Sequence, residues 1–294
     1  MLRLLSLLLL FAVLTGCGAP PTQIAPAPPG GLRIATHNVH YISLREETGA
    51  WSVGDWEDRK VSLDLAFKSL DADIVVFQEM ESFGRGDTDG INLARDWLLA
   101  RNPGFAAGAS GDAATFPSTQ PIFYRTERLE LLEQGWFFFS DTPDVIYSRT
   151  FDGSYPAFAS LARLRDRTTG RAVTVVNVHF EYRSGSNRLK SAALTVDRVA
   201  PRLADGEAVV LVGDLNALAG SRTADIFRAA GFAFVDVPGS TYHLNRGIDL
   251  FGAIDHVATA GPVHAIGPAQ VQRGRFDGRF PSDHYPVLAD VVLN

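Results

Sequence analysis

The chain is nearly free of sulfur, with one cysteine, Cys17, and two methionines in 294 residues. A single cysteine cannot close an intramolecular disulfide, and cysteine-based zinc sites are excluded with it. An excess of basic residues is also missing. Lys and Arg total 27 against 33 Asp and Glu, a formal net charge of −6, so the chain lacks the electrostatic footprint of a protein that tracks a long polyanion. Arg273, Arg275 and Arg279 form the one small basic cluster, and a solvated loop accounts for it equally well. There is no HExxH pattern or other His-rich ligand spacing, which speaks against a zinc hydrolase. No short internal repeat occurs. What remains is 46% hydrophobic and 20% charged, the composition of a globular chain of one large domain or at most two.

The first residues stand apart. After Arg3, an apolar run from Leu4 to Leu14 is too short to span a bilayer as a stable helix. It leads into Leu14-Thr15-Gly16-Cys17, which resembles the lipobox of bacterial lipoprotein signal peptides. The resemblance implies a signal peptide over 1–16 and lipidation of Cys17, hence a lipid-anchored protein of the bacterial cell envelope. Gly18, where an inner-membrane lipoprotein typically carries Asp, favours the outer membrane. Residues 17–31, rich in Pro, predict an extended tether, and 32–294 a folded catalytic domain.

Within that domain, strands and helices alternate at first. Leu32 to Thr36 reads as a strand, Asp58 to Leu70 has helical apolar spacing, and Ala72 to Phe77 is a second buried strand. Ile91 to Arg101 predicts another helix, stopped by Asn102-Pro103-Gly104. The middle is richer in strand signals: Pro121 to Arg125, Glu130 to Ser140, and a hairpin of Phe158 to Arg165 with Ala172 to Val178. Helices follow over Arg188 to Leu203 and Thr223 to Gly231. Val209 to Asp214, Phe232 to Val237, Ile254 to Val257 and Val287 to Leu293 complete the expected strands.

The informative feature is how these strands end. Asn38, Gln78-Glu79, Asn177 and His179, Asp214 and Asn216, Asp255, and Asp283-His284 all fall at or beside strand ends. Asp214 and Asn216, two apart, predict side chains on one side of a near-extended backbone, although Asp-Leu-Asn also suits a plain turn. Six strand ends with the same habit are harder to credit to turns. Carboxylates and carboxamides without sulfur suit a hard divalent cation such as Mg²⁺. With histidines nearby, the set suits phosphoester hydrolysis.

In order along the chain stand THNVH at 36–40, VVFQEM at 75–80, NVHFE at 177–181, GDLNA at 213–217, IDHV at 254–257 and SDHYPV at 282–287. This series resembles the endonuclease/exonuclease/phosphatase superfamily with its DNase-I-like fold. The resemblance implies a four-layer α/β sandwich, two mixed β-sheets face to face with helices outside. It also implies roles. Glu79 would be the principal metal carboxylate, with Asn38 and Asp283 beside it for Mg²⁺ or Mn²⁺. Asp214 would orient or deprotonate the attacking water, and His284, oriented by Asp255, would hold the phosphate. His179 would act on the phosphate or leaving group. Asn216, Asn177 and Tyr124 would contact substrate. His37, His40, His243 and His256 are expected to be supporting or surface groups.

The function so implied is divalent-metal-dependent hydrolysis of a phosphodiester or phosphomonoester by metal-assisted attack of water, with a nuclease among the options. The substrate would be a nucleic acid, a phospholipid headgroup or a small phosphodiester, and the protein a monomer. Alternatives are a sphingomyelinase-like or phosphoinositide phosphoesterase, and an inactive membrane-tethered binding module.

Overall fold

The computed structural model describes residues 20–84, 90–153 and 155–294. The expected signal peptide and Cys17 lie outside them, and among the described residues no helix is long and apolar enough to cross a membrane. In chain order the strands are β1 Leu32–Asn38, β2 Ile42–Ser43, β3 Ile74–Gln78, β4 Ser82–Phe83, β5 Phe105–Gly108, β6 Ile122–Arg125, β7 Leu129–Phe138, β8 Phe158–Asp166 and β9 Ala172–His179. They continue with β10 Ala208–Asp214, β11 Ala233–Phe234, β12 Asp255–Ala260, β13 Val263–Ala265, β14 Gln270–Val271 and β15 Val287–Leu293. The helices are α1 Val53–Ser69, α2 Leu93–Arg101, α3 Gly185–Ala204 and α4 Arg222–Ala229.

Two mixed sheets form, in orders β13-β15-β1-β3-β6-β5, with β14 also on β15, and β11-β12-β10-β9-β8-β7. Each has one parallel pair at its centre, β1 with β3 and β9 with β10, and antiparallel neighbours on both sides. Helix α1 bridges the first pair and α3 the second, the crossover that parallel strands require.

Strand alternation builds the layers. On β10, Val210 and Val212 enter the core between the sheets with Ile34, Ile74, Val76 and Val175. Val209 and Leu211 face the other way, into a core with Val199 of α3 and Phe227 of α4. On the first sheet Ala35, Val75 and Phe77 meet Leu63 and Phe67 of α1 and Leu98 of α2. Apolar residues at consecutive positions are what a strand covered on both faces needs. The result is the expected α/β sandwich, helices outside and two mixed sheets within.

Helix α1 begins five residues before the expected start at Asp58, because Ser52 caps it through a bond to Asp55 N. Gly54 is demanded there by crowding, since a Cβ would lie 2.5 Å from Glu47 O. The strand expected over 232–237 is reduced to Ala233–Phe234. Part of the Pro-rich stretch is laid against the domain: Thr22 N donates to Arg273 O at 2.7 Å and Ala25 N to Gln270 Oε1 at 2.7 Å. The three arginines noted in the sequence form no open basic groove. Arg273 bonds the carbonyls of Pro238 and Ser240, Arg275 lies over Phe280, and Arg279 pairs with Asp58.

Candidate active site

The parallel pairs end at the same rim. Asn38 is registered against Gln78, and Asp214 against His179, while Asp255 opposes Asp214 from the antiparallel side. Gly213 makes the fit of Asp214 against His179 possible. Its φ is +137°, and a Cβ would stand 2.1 Å from Val178 O, inside the neighbouring strand.

Glu79 reaches the rim by a different device. On β3, Ile74 and Val76 face the inter-sheet core, so alternation sends Gln78 the same way and would turn Glu79 toward the helices. Instead Glu79 has φ +53°, a left-handed conformation uncommon for a side-chain-bearing residue. Its Oε1 accepts from Asn38 Nδ2 at 3.1 Å. The same amide reaches Asp214 Oδ2 at 3.3 Å, so Asn38 bridges the two carboxylates. The Asn38 oxygen is turned away, accepting from His40 N at 3.2 Å.

His179 Nε2 lies 3.8 Å from both Glu79 Oε1 and Asp214 Oδ2. On the far side of Asp214, His284 Nε2 is 3.9 Å from Oδ2, and His284 Nδ1 is 2.9 Å from Asp255 Oδ2. Asp214, Asp255 and His284 are all buried. Burial opposes charge on the His284 ring, but the charge and hydrogen bond of Asp255, then Asp214 and Asp283, push its pKa up to about 10. Burial would raise Asp255, yet the His284 imidazolium holds it below its ordinary value. Asp214 goes the other way, raised to about 6 by desolvation and by the neighbouring Asp255 charge. At neutral pH the site therefore holds an Asp255 carboxylate, a protonated His284 and an Asp214 poised near its titration.

The donor chemistry fits a divalent cation. Asp214, Asp255 and His284 offer ligand atoms that all lie within 4.8 Å of one another, a grouping able to hold a metal. In the structure Asp255 Oδ2 and His284 Nδ1 are spent on each other, which leaves the buried Asp214 and the partly exposed Glu79 as the carboxylates outside that pair. Oxygen donors of this kind suit Mg²⁺ or Mn²⁺ better than softer metals.

Three expectations are corrected. Tyr124 is registered against Ile74, four residues before Gln78 and so about 13 Å down the strand from the rim; it packs on the inter-sheet core. Asn177 is wholly buried, donating to Phe77 O and Gln120 O and accepting from Gln78 Nε2 at 2.6 Å. It joins the two sheets beneath the site and has nothing left for a substrate. Asn216 does not share an extended backbone with Asp214. Its φ is +46°, its N–H bonds Asp214 Oδ1 at 2.7 Å and its amide donates to Phe180 O at 2.8 Å, so the turn reading holds. Asp283 sits partly exposed beside the cluster, accepting from Ser282 Oγ at 3.2 Å. His37, His40, His243 and His256 are all buried, so none is a surface group.

Arg59 was not foreseen. From α1 its buried guanidinium donates to Val39 O, His40 O and Pro281 O, and to Asp55. It staples the end of β1 to the loop that carries Asp283 and His284. Its only sequence signal was its place on the buried face of a helix that started earlier than expected.

The Endonuclease/Exonuclease/phosphatase family pattern matches residues 35–284. No curated protein matches the chain. Among solved structures, a family protein from Bacteroides thetaiotaomicron is 22% identical, covers 94% of this chain and all 100% of its own, and has a TM-score of 0.70. A second, from Bacteroides vulgatus, is 22% identical over 90% of this chain and 99% of its own, TM-score 0.74. A mannosyl-6-phosphatase of Bacteroides thetaiotaomicron is 22% identical over 89% of this chain and 100% of its own, TM-score 0.69. At such identities the likeness is one of fold, and the fold together with the acidic and histidine cluster supports metal-dependent phosphoesterase or nuclease-type activity. With the family pattern spanning most of its length, the chain belongs to the endonuclease/exonuclease/phosphatase family.

Proposed function

We propose that the protein hydrolyses a phosphoester by direct attack of water, without a covalent intermediate, and requires Mg²⁺ or Mn²⁺. The observation that carries this reading is the pairing of Asp214 with a doubly supported His284 at one rim, a base beside a fixed cationic donor. Glu79 would hold the cation, with Asp214 and Asp283 on its near side. A divalent cation bound there would offset phosphate charge.

The chain's own groups supply the rest. Asp214, with a pKa near 6, is matched to accept a proton from water close to neutral pH. His284 donates from Nε2 to an anionic phosphoryl oxygen, and Asp255 keeps that ring charged and oriented through Nδ1. His179, 3.8 Å from Glu79 and Asp214, is placed to donate to the phosphate or the leaving oxygen. Asn38 fixes the spacing of the two carboxylates.

We also propose that lipidation of Cys17 tethers the domain to the bacterial envelope, outer membrane favoured, as the Leu14–Cys17 stretch suggests. Fractionation that finds the full-length protein only in the inner membrane would reject that sorting. The catalytic reading is tested with p-nitrophenyl phosphate, bis-p-nitrophenyl phosphate, plasmid DNA, RNA and phospholipid vesicles, each with Mg²⁺, Mn²⁺ and EDTA. Hydrolysis should require metal and vanish in Asp214→Ala and His284→Ala. Activity that persists in both variants refutes the site.

A further inference from the structure

Ten residues other than glycine have positive φ among the described residues, and four of them line one hollow: His40 at +64°, Trp51 at +65°, Leu244 at +57° and Asn245 at +54°. The hollow measures about 210 Å³ and is completed by Ala50, Asp55, Tyr242 and Asp283. Left-handed backbone costs of order 1 kcal/mol or more for such residues, and it persists where surrounding structure enforces it, often at ligand clamps. Two segments far apart in sequence, 40–51 and 244–245, bear this cost in the lining of the same space.

The hollow adjoins the reacting centre. The Tyr242 ring lies 5.0 Å from the His284 ring, and Asp283 is shared between the wall and the cluster. Whatever is attached to a phosphate held by His284 has this space beside it. Its lining has a defined chemistry. Trp51 is 43% exposed, offering an indole ring, and ring contacts with His40 and Tyr41 at 5.3 and 5.4 Å hold it in place. Asp55 gives one carboxylate oxygen to Arg59 and keeps the other, and Asn245 brings an exposed amide that can both donate and accept. No Lys or Arg lines it.

We propose that this hollow is the leaving-group subsite and takes the ring of a hexose phosphate. An apolar ring face against one side and hydroxyls toward carboxylate and amide on the others is what a sugar ring presents. A quaternary ammonium headgroup would meet the rings and Asp55 well but would leave the Asn245 amide, which can both donate and accept, without a hydroxyl to bond. A nucleic-acid strand would bring further phosphates to a wall without cations. The inference rests on the phosphoesterase reading and adds the substrate class to it.

The test compares the full chain with Trp51→Gly and Asn245→Gly, which remove the side chains while leaving a residue at ease with positive φ. The readout is the ratio of kcat/KM for glucose 6-phosphate or mannose 6-phosphate to that for p-nitrophenyl phosphate, which has no hydroxyls. The wild-type ratio should exceed one for at least one hexose phosphate and fall about tenfold in each variant. A fall of less than threefold in both variants overturns the inference, as does a wild-type preference for a dinucleotide or for phosphatidylcholine vesicles. These outcomes leave the phosphoesterase reading intact, whereas a folded protein inactive on every phosphoester defeats that reading. In that event, calorimetric titration with the hexose phosphates still decides the subsite: binding weakened about tenfold in both variants supports it, and no binding to wild type overturns it.

Discussion

Asp255→Asn is the most discriminating perturbation, because it removes one charge and leaves the shape of the site. Asp255 Oδ2 and His284 Nδ1 are 2.9 Å apart, and both side chains are buried. Raising an imidazole from 6.5 to about 10 corresponds to roughly 5 kcal/mol of preference for the charged ring. That figure belongs to the ring's whole surroundings, in which burial works against the charge and Asp255 is the leading favourable partner. An amide keeps the contact but not the charge. With desolvation then dominant, His284 should titrate below about 7 in the variant, near or under an ordinary imidazole. Hydrolysis at pH 8 should fall by roughly 10²- to 10⁴-fold, the loss expected when a positioned proton donor is neutralised. What activity remains should decline as pH rises through 7.

The stability of the variant gives an independent sign. A histidine whose folded pKa is raised stabilises the fold fully below its unfolded value of 6.5, and the contribution is lost as pH rises toward about 10. The gap between wild type and Asp255→Asn should therefore be widest near pH 6 and close toward pH 10. Ring resonances of His284 followed by NMR in the metal-free protein, with denaturant unfolding at both pH values, measure both effects. A His284 that still titrates above 9 in the variant would refute the electrostatic account.

Gly213→Ala should cost about 3 kcal/mol or more or prevent folding, since the new Cβ meets Val178 O at 2.1 Å; thermal unfolding measures it, and a near-native midpoint would contradict the register of β9 with β10. Arg59→Met should destabilise by about 3–5 kcal/mol by leaving the Val39, His40 and Pro281 carbonyls without their buried donor, and lower kcat as well. Arg59→Lys should not restore either property, because one ammonium cannot span the contacts of a planar fork; full rescue by Lys would show that charge alone matters. His37 is buried and neutral, lowered to about 3 chiefly by desolvation and then by His284, so its contribution is complete above pH 6.5 and lost as pH falls toward about 3. His37→Gln should accordingly reduce the stability difference between pH 7 and pH 4 by about 3 kcal/mol, read from urea unfolding at the two pH values.

Much of the fold was legible because both sheets are covered on both faces. Runs such as Val209-Val210-Leu211-Val212 leave few alternatives to a buried strand, and the structure divides their side chains between two cores. The short strands were not legible. Those over Ile42–Ser43, Ser82–Phe83 and Gln270–Val271 have two residues each, too few to show a period. They exist as pairings between loops, Ile42–Ser43 with Ser82–Phe83, and onto an existing strand, Gln270–Val271 on β15. The early start of α1 was hidden by Gly54, a poor helix former whose presence is explained by the approach of Glu47.

The site residues were legible by face but not by depth. Along each inner strand the side chains on the inter-sheet face pass from apolar inside to polar or ionisable at the rim: Ile34, Thr36, Asn38; Ile74, Val76, Gln78; Val175, Asn177, His179; Val210, Val212, Asp214. Alternation identifies the face, and on it Asn177 and His179 look alike. One step of two residues separates them, and that step is the difference between a fully buried amide and a ring at the mouth. The middle layer is built of Thr36, Gln78, Asn177, Gln120 and Ser160, whose bonds run from one sheet to the other. Carboxylates set directly on a valine core would be forced toward neutrality, as Asp214 already is in part. A layer of amides and hydroxyls lets the rim carry charge while the layer's own polar groups bond one another, and Asn177 is the member of it that a motif-based reading mistakes for a substrate contact. Glu79 is the converse case. Its position in the alternation points it away from the rim, and only the left-handed turn after β3 delivers its carboxylate, so no pattern of spacing could have placed it there.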